Sequence, residues 1–238
     1  MKPDTIRRPC NPRIVLNLTE IALFIIPIVL AVTLHEAAHG YVALHFGDDT
    51  AKNAGRLTLN PLKHVDLFGT IILPLVLILS NSGFLFGYAK PVPVNFSALR
   101  NPRWDMLWVA FAGPLTNIAL AVVSTLLLYG VDASVASPSG MVQSIILLSV
   151  ELNVVLAVFN MLPLPPLDGS KVLAAFLPER AMRPYLAFGR YGMAILLLLL
   201  IVFPLVAQRT GLRLDIFAAL VQRPANWLVQ TLLAITGR

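Results

Sequence analysis

Long apolar runs constrain the fold of this chain more than any other feature. They cover residues 14–46, 104–130, about 140–162 and about 186–207. A helix needs about 20 apolar residues to cross the hydrocarbon core of a bilayer. Only 13% of the 238 residues are charged, whereas soluble domains average about 25%. The runs predict an all-α polytopic membrane protein with about four to six transmembrane helices, in a single integral-membrane domain over 1–238.

Two segments between these runs are predicted to differ from plain spanning helices. Residues 55–66 alternate polar and apolar side chains, which indicates a short extended strand. Residues 67–88 are apolar but are interrupted by Pro74 and by SNSG at 80–83. This interruption favours a re-entrant segment that dips into the membrane and returns.

The sequence AKPVPVN at 89–95 is also predicted to be extended, because a proline disfavours helix in the residue before it. In a strand, the two prolines would leave one edge without N–H donors, whereas Val92 and Val94 would keep theirs on the other edge. Such an edge can pair with an extended peptide. A simple proline-rich connector is the alternative.

The charge pattern excludes nucleic acid as a partner and favours the lipid bilayer. The net charge is +6, but no Lys or Arg occurs between Arg103 and Lys171, so there is no continuous basic groove. The cations lie between apolar runs, where membrane topology and anionic lipid head groups account for them. Cys10 is the only cysteine, which excludes an intramolecular disulfide and a thiolate metal cluster.

The sequence HEAAH ends the first apolar run with His35, Glu36 and His39. Residues four apart lie on one face of a helix, so both imidazoles can reach one ion. In the HExxH arrangement the two histidines bind zinc and the glutamate acts as a general base. The alternative is a pair of histidines that face a pore or a neighbouring helix, with the glutamate paired to a loop cation.

Catalytic zinc usually takes three protein ligands and leaves a fourth position for water. Asp168 is favoured as the third ligand, because prolines interrupt the helix before it and Gly169 follows. Taken alone, this aspartate would be better explained as an ordinary N-cap of the helix that begins near Lys171. His45 has metzincin spacing, but Val42 stands where that motif needs glycine. The remaining alternatives are His64, Asp66 and Glu151.

Four motifs in this order, HEAAH, AKPVPVN, AGPLTN and N-x-x-P-x-P-x-L-D-G, resemble the site-2 protease family of intramembrane zinc metalloproteases. The resemblance covers about residues 30–175 and implies one Zn²⁺ ion bound by three ligands, with a glutamate as base. The ligands would be His35, His39 and Asp168, and the base Glu36. It further implies that Asn160, and more weakly Asn117, contacts the substrate or the oxyanion.

The polar gaps hold no accessory domain, so the resemblance is to a compact form. Its catalytic core is predicted at about 14–175 and its C-terminal helices at about 186–235. The last part, 212–235, has the pattern of an amphipathic or interfacial helix.

These observations predict a zinc-dependent intramembrane endopeptidase in a prokaryotic plasma membrane, with a transmembrane protein as substrate. The alternatives are a divalent-metal transporter or channel and a non-catalytic relative that binds membrane segments. For one ion to join HEAAH to Asp168, the helices that precede these ligands must run parallel, with 104–130 antiparallel between them. That order requires 67–88 to return rather than cross. The sequence indicates neither the substrate's identity nor the oligomeric state.

Overall fold

The computed structural model describes residues 18–79, 87–130, 141–203, 206 and 216–235. Within these ranges four helices are long and apolar enough to cross a membrane, and there is no β-strand. The prediction of an all-α polytopic membrane protein is confirmed. The helices are α1 Leu18–His45, α2 Thr50–Asn53, α3 Leu73–Leu79, α4 Pro102–Gly130, α5 Met141–Asn160, α6 Asp168–Phe176, α7 Glu179–Leu197 and α8 Arg223–Ile235.

Helix α4 packs antiparallel to α1. The carbonyl of Val109, near the start of α4, accepts a hydrogen bond from His39, near the end of α1. Further along α4, the Asn117 amide donates to the carbonyl of Ala31, which lies earlier in α1. The later residue of α4 thus contacts the earlier residue of α1, so the two helices run antiparallel.

Helix α5 is likewise antiparallel to α4. Asn117 contacts Asn153 at 2.9 Å, and the hydroxyls of Ser124 and Ser149 lie 2.9 Å apart. Because α1 and α5 both oppose α4, they run parallel and their C-terminal ends lie on the same side. This is the helix order that a shared metal requires.

Residues 67–88 return to the level at which they start. The N–H of Tyr88 donates to the carbonyl of Gly69 at 3.0 Å, and the Thr70 hydroxyl donates to the Tyr88 carbonyl at 3.0 Å. A Cβ on Gly69 would collide with the Tyr88 ring. The ends of a crossing segment would be about 30 Å apart. The two ends of 67–88 therefore lie together, as the predicted returning segment requires. Its entry into the membrane stays a prediction, and 80–86 lies outside the described residues.

The short strand predicted at 55–66 is wrong. Its backbone donors are bonded within local turns: the Asn60 side chain accepts from the N–H of Leu62 at 3.0 Å, and the N–H of His64 donates to the carbonyl of Pro61 at 2.9 Å. An asparagine side chain such as that of Asn60 offers nearby backbone N–H groups a local hydrogen bond in place of the bonds of a strand ladder. Residues 89–95 form no helix or turn, in line with the extended path predicted for them, and Asn95 has extended dihedral angles. No strand pairs with 89–95 among the described residues.

The two C-terminal helices pack against different parts of the core, α7 against α6 and α8 against α5. Helix α7 starts at Glu179, earlier than the predicted 186, and continues through a π-helical turn at Leu198–Val202. Helix α8 has 13 residues and packs on α5 through fully buried Ala225, whereas Trp227 is exposed. This two-faced helix agrees with the amphipathic pattern predicted for 212–235.

Arg103 joins the start of α4 to the end of α6. Its Nε donates to the carbonyl of Ala175 at 2.7 Å and its Nη2 to that of Leu177 at 3.0 Å. The last carbonyls of a helix lack partners within the helix, and a cation there is also favoured by the helix dipole. Arg103 thereby fixes α6, whose first residue is Asp168.

Candidate metal centre

Two imidazoles and one carboxylate converge where α1, α4 and α6 meet. The Nε2 atoms of His35 and His39 lie 3.0 Å apart. Each lies 3.2 Å from Oδ2 of Asp168. All three side chains are buried, and within the described residues they form the only group of this kind that could hold a metal ion.

The opposite ring nitrogens of both histidines are hydrogen-bonded. His39 Nδ1 lies 2.6 Å from the carbonyl of Val109, and His35 Nδ1 lies 2.6 Å from Oδ1 of Asn117. Both partners are acceptors, so each Nδ1 must carry the proton. A neutral imidazole then has its lone pair on Nε2, and both lone pairs face the Asp168 carboxylate.

With both imidazoles neutral, as metal-bound histidines are, three acceptor atoms face one another in a buried space without a hydrogen between them. Such an arrangement is repulsive unless a cation lies among the atoms. Two imidazole nitrogens and one carboxylate oxygen are a usual donor set of catalytic zinc. Hydrogen bonds that fix the outer nitrogens are typical of metal-bound histidines. The residues present fit a zinc ion.

Gly113 of α4 provides the space for this convergence. A Cβ built there would lie 2.6 Å from His35 Nε2 and would collide with His39 Nε2. Gly113 belongs to the AGPLTN sequence, but spacing alone could not show that it faces the histidines.

Asp168 is held from both sides. It is the first residue of α6, and its side chain contacts the two histidines and Lys171. Its Oδ2 faces the histidines, whereas Oδ1 accepts from Lys171 Nζ at 3.0 Å. Gly169 permits this placement by close approach rather than by an unusual backbone conformation, since a Cβ there would collide with the Met161 carbonyl.

The four alternative third ligands lie elsewhere. His45 packs edge-on against a neighbouring phenylalanine ring in the last turn of α1. His64 bonds a backbone carbonyl through Nε2 at 3.0 Å, and Asp66 accepts from a backbone N–H at 2.7 Å. Glu151 is exposed on α5. None of them belongs to the His35–His39–Asp168 cluster.

Glu36 is bonded to the extended segment. Its Oε2 accepts from the backbone N–H of Val92 at 2.8 Å, and the Val92 side chain packs closely over Gly40 of α1. One of the two donors predicted for the pairing edge is thus already engaged. The N–H of Val94 makes no hydrogen bond among the described residues.

The extended segment is anchored on both sides of Val92. Before it, Lys90 donates its N–H to the His64 carbonyl at 2.9 Å, and its own carbonyl accepts from Arg56 Nη2 at 2.9 Å. After it, the N–H of Asn95 donates to Oδ2 of Asp48 at 2.7 Å. These contacts hold 89–95 against the C-terminal end of α1.

The two predicted substrate-contacting asparagines lie in different surroundings. Asn117 is fully buried behind His35, and its Nδ2 donates to Asn153 Oδ1, so the structure places it against a ligand candidate. Asn160 is half-buried and donates to the carbonyl of Leu156 at 3.0 Å; its contact with substrate stays a prediction. Asn153 was not predicted, since it stands within an apolar run without a motif.

The family model of Peptidase family M50 matches residues 23–138 and 131–203 of this sequence. The chain belongs to peptidase family M50. This confirms the resemblance to site-2 proteases drawn from the four motifs. No solved structure matches the chain.

Curated relatives of this M50 chain carry the same designation. "Putative zinc metalloprotease YwhC" of Bacillus subtilis is 38% identical over 210 residues, which cover 83% of this chain and 92% of the relative. "Putative zinc metalloprotease Rip2" of Mycolicibacterium smegmatis is 33% identical over 190 residues, 77% of this chain and 70% of the relative. Together with the four apolar helices, the family membership makes this M50 chain an integral membrane metallopeptidase.

Proposed function

We propose that this protein is a zinc-dependent intramembrane endopeptidase that hydrolyses a peptide bond in or near the transmembrane segment of a membrane protein, in a prokaryotic plasma membrane. The observation that carries the proposal is the convergence of His35 Nε2, His39 Nε2 and Asp168 Oδ2 within 3.2 Å. Relatives named zinc metalloproteases in bacteria support the metal, the reaction class and the compartment.

His35, His39 and Asp168 would hold one zinc ion. When bound, the ion supplies positive charge that acidifies water and polarises a peptide carbonyl. Glu36 then takes a proton from the attacking water at its carboxylate and passes it to the leaving amine. The Val92 N–H holds Oε2 of Glu36, which leaves Oε1 to receive that proton.

Residues 89–95 would bind the substrate as an extended peptide. A helical substrate has its amides already bonded and must unwind locally before attack. The N–H of Val94, which has no partner among the described residues, can donate to a substrate carbonyl and so replace one of the hydrogen bonds that the substrate loses on unwinding. Asn160 would contact the substrate or the developing oxyanion.

A divalent-metal transporter is the competing function, since buried histidine and acidic groups also mark ion paths. It requires no base at Glu36. A non-catalytic relative would require no complete set of metal ligands, whereas all three donor atoms are present here.

The test is Glu36→Gln in purified protein supplied with a transmembrane substrate. Cleavage should fall by about 10²–10⁴-fold, the usual contribution of a general base, while zinc measured by mass spectrometry stays at the wild-type amount. Glu151→Gln, at an exposed glutamate of α5, is the matched control and should cleave normally. Undiminished cleavage by Glu36→Gln would refute the mechanism.

A further inference from the structure

A chain of three hydrogen bonds leads from the candidate metal centre through α4 into α5. His35 Nδ1 lies 2.6 Å from Asn117 Oδ1, and Asn117 Nδ2 lies 2.9 Å from Asn153 Oδ1. Asn153 Nδ2 in turn lies 2.8 Å from the backbone carbonyl of Ser149. Asn117 and Asn153 are at most 1% exposed, so water cannot substitute for these partners.

The direction of every bond follows from the last one. A backbone carbonyl only accepts, so Asn153 must turn its Nδ2 to Ser149 and its Oδ1 to Asn117. Asn117 must then donate with Nδ2, which leaves its Oδ1 for His35. The proton of His35 must therefore lie on Nδ1.

A second acceptor supports the same orientation of Asn117. The carbonyl of Ala31 lies 3.3 Å from Asn117 Nδ2. If the Asn117 amide were turned over, its oxygen would face two acceptors, and its NH₂ group would face the Nδ1 proton of His35. Buried polar groups left unpaired in this way are strongly disfavoured.

We propose that Asn153 is a positioning residue for the metal centre: acting through Asn117, it fixes the tautomer of His35 and so keeps the Nε2 lone pair free for the ion. The proposal rests on the zinc site described above. It assigns a role in zinc binding to a residue that belongs to none of the four family-like motifs and does not contact the cluster.

A double-mutant cycle on zinc affinity tests the proposal. Asn117→Leu should weaken zinc binding, measured by chelator competition, by about 10–100-fold, the usual effect of removing a partner of a metal-bound histidine. Asn153→Leu should weaken it by a smaller factor. In the Asn117→Leu background, Asn153→Leu should have no further effect, because its influence passes through Asn117.

Ser124→Ala is the matched control. It removes a half-buried hydrogen bond of the same α4–α5 interface, to the Ser149 hydroxyl, which also lies 3.3 Å from Asn153 Nδ2. The hydrogen bonds that lead from the Ser149 carbonyl through Asn153 and Asn117 to His35 stay in place. Zinc affinity should stay at the wild-type value. Equal losses in Ser124→Ala and Asn153→Leu would show that the interface matters only structurally and would overturn the proposal.

A measurement on unmodified zinc-free protein completes the test. Histidine ¹⁵N spectra recorded at alkaline pH, where imidazoles are neutral, should show His35 with its proton only on Nδ1, and Asn153→Leu should produce a mixture of tautomers. A proton on Nε2 of His35 in the wild type, or additive effects in the cycle, would overturn the proposal. Failure of the proposed function would look different, since wild-type protein would then bind no zinc or cleave no substrate.

Discussion

The carboxylate of Glu36 accepts a hydrogen bond from the backbone N–H of Val92 at 2.8 Å. Glu36, which lies between His35 and His39 on α1, is thereby bonded to the extended segment 89–95. The proposed base and the proposed substrate-binding edge, which are far apart in sequence, are thus joined by a hydrogen bond.

Proline substitutions should separate the two roles of this segment. Val92→Pro removes the donor to Glu36 and should lower kcat about 10-fold or more, since a hydrogen bond to a charged group contributes about 1.5–3 kcal/mol. Val94→Pro removes a donor that has no partner within the described part of the chain and should raise KM with little change in kcat. Both prolines suit an extended backbone. Steady-state kinetics on one substrate checks this, and identical effects of the two substitutions would contradict it.

Gly113→Ala should weaken zinc binding. The added Cβ would enter the space between the Nε2 atoms of His35 and His39, and overpacking of this kind costs about 1–3 kcal/mol, or about 5–150-fold in affinity. Gly189→Ala is the control, because its Cβ would meet only one side-chain atom, at 3.3 Å. Zinc titration of both variants is the measurement; wild-type affinity in Gly113→Ala would show that the cluster is not the zinc site.

Lys171→Gln should weaken zinc binding about 10-fold, in the range known for partners of metal ligands, because Asp168 loses the ammonium 3.0 Å from its Oδ1. Lys171→Arg should largely restore the affinity. The exposed pair of Arg183 and Glu179 supplies the control: Arg183→Gln should leave zinc affinity unchanged, as surface pairs contribute little. A neutral effect of Lys171→Gln would contradict the prediction.

Asp48 should make the anchoring of 89–95 sensitive to acid. Burial acts to raise the pKa of Asp48, but hydrogen bonds from Thr50 and from the Asn95 N–H outweigh it, so the pKa lies below its ordinary 3.8. A lowered pKa in the folded state stabilises the protein fully above the unfolded-state value, and this contribution is lost as pH falls through the folded-state value.

The measurement compares the thermal stability of wild type and Asp48→Asn across pH. Wild type should be more stable by a constant margin above about pH 5, and the margin should shrink below about pH 4. Asp49→Asn, at the neighbouring aspartate, is the control and should show no such loss. A margin that grows on acidification would contradict the assignment.

Local periodicity predicted the parts of the site that depend on one helix. The four-residue spacing of His35 and His39 places both on one face of α1 whatever the rest of the chain does. Asp168 could be favoured because prolines stop the helix before it. The parallel order of α1 and α5 then followed from the requirement that one ion bind both the histidines and Asp168.

Contacts between distant segments could not be predicted in the same way. Gly113 and Asn153 look like ordinary members of apolar helices until the packing of α4 shows what they face. The N–H of Val92 was predicted to be free, because strand geometry alone cannot show that the Glu36 carboxylate of α1 lies within hydrogen-bond distance of it. The strand at 55–66 failed because turn-forming side chains captured its donors.

The contact between Gly69 and Tyr88 bears on the depth at which the proposed protease would cut its substrate. It leaves residues 46–66, the extended segment and α6 on the side where α1 ends at His45. His39 and His35 lie six and ten residues before that end, a depth of about 9–15 Å at 1.5 Å per residue. A peptide that enters from this side spans that depth with about three to five extended residues. Cleavage points should therefore cluster within one leaflet, counted from a single edge of the substrate's hydrophobic stretch.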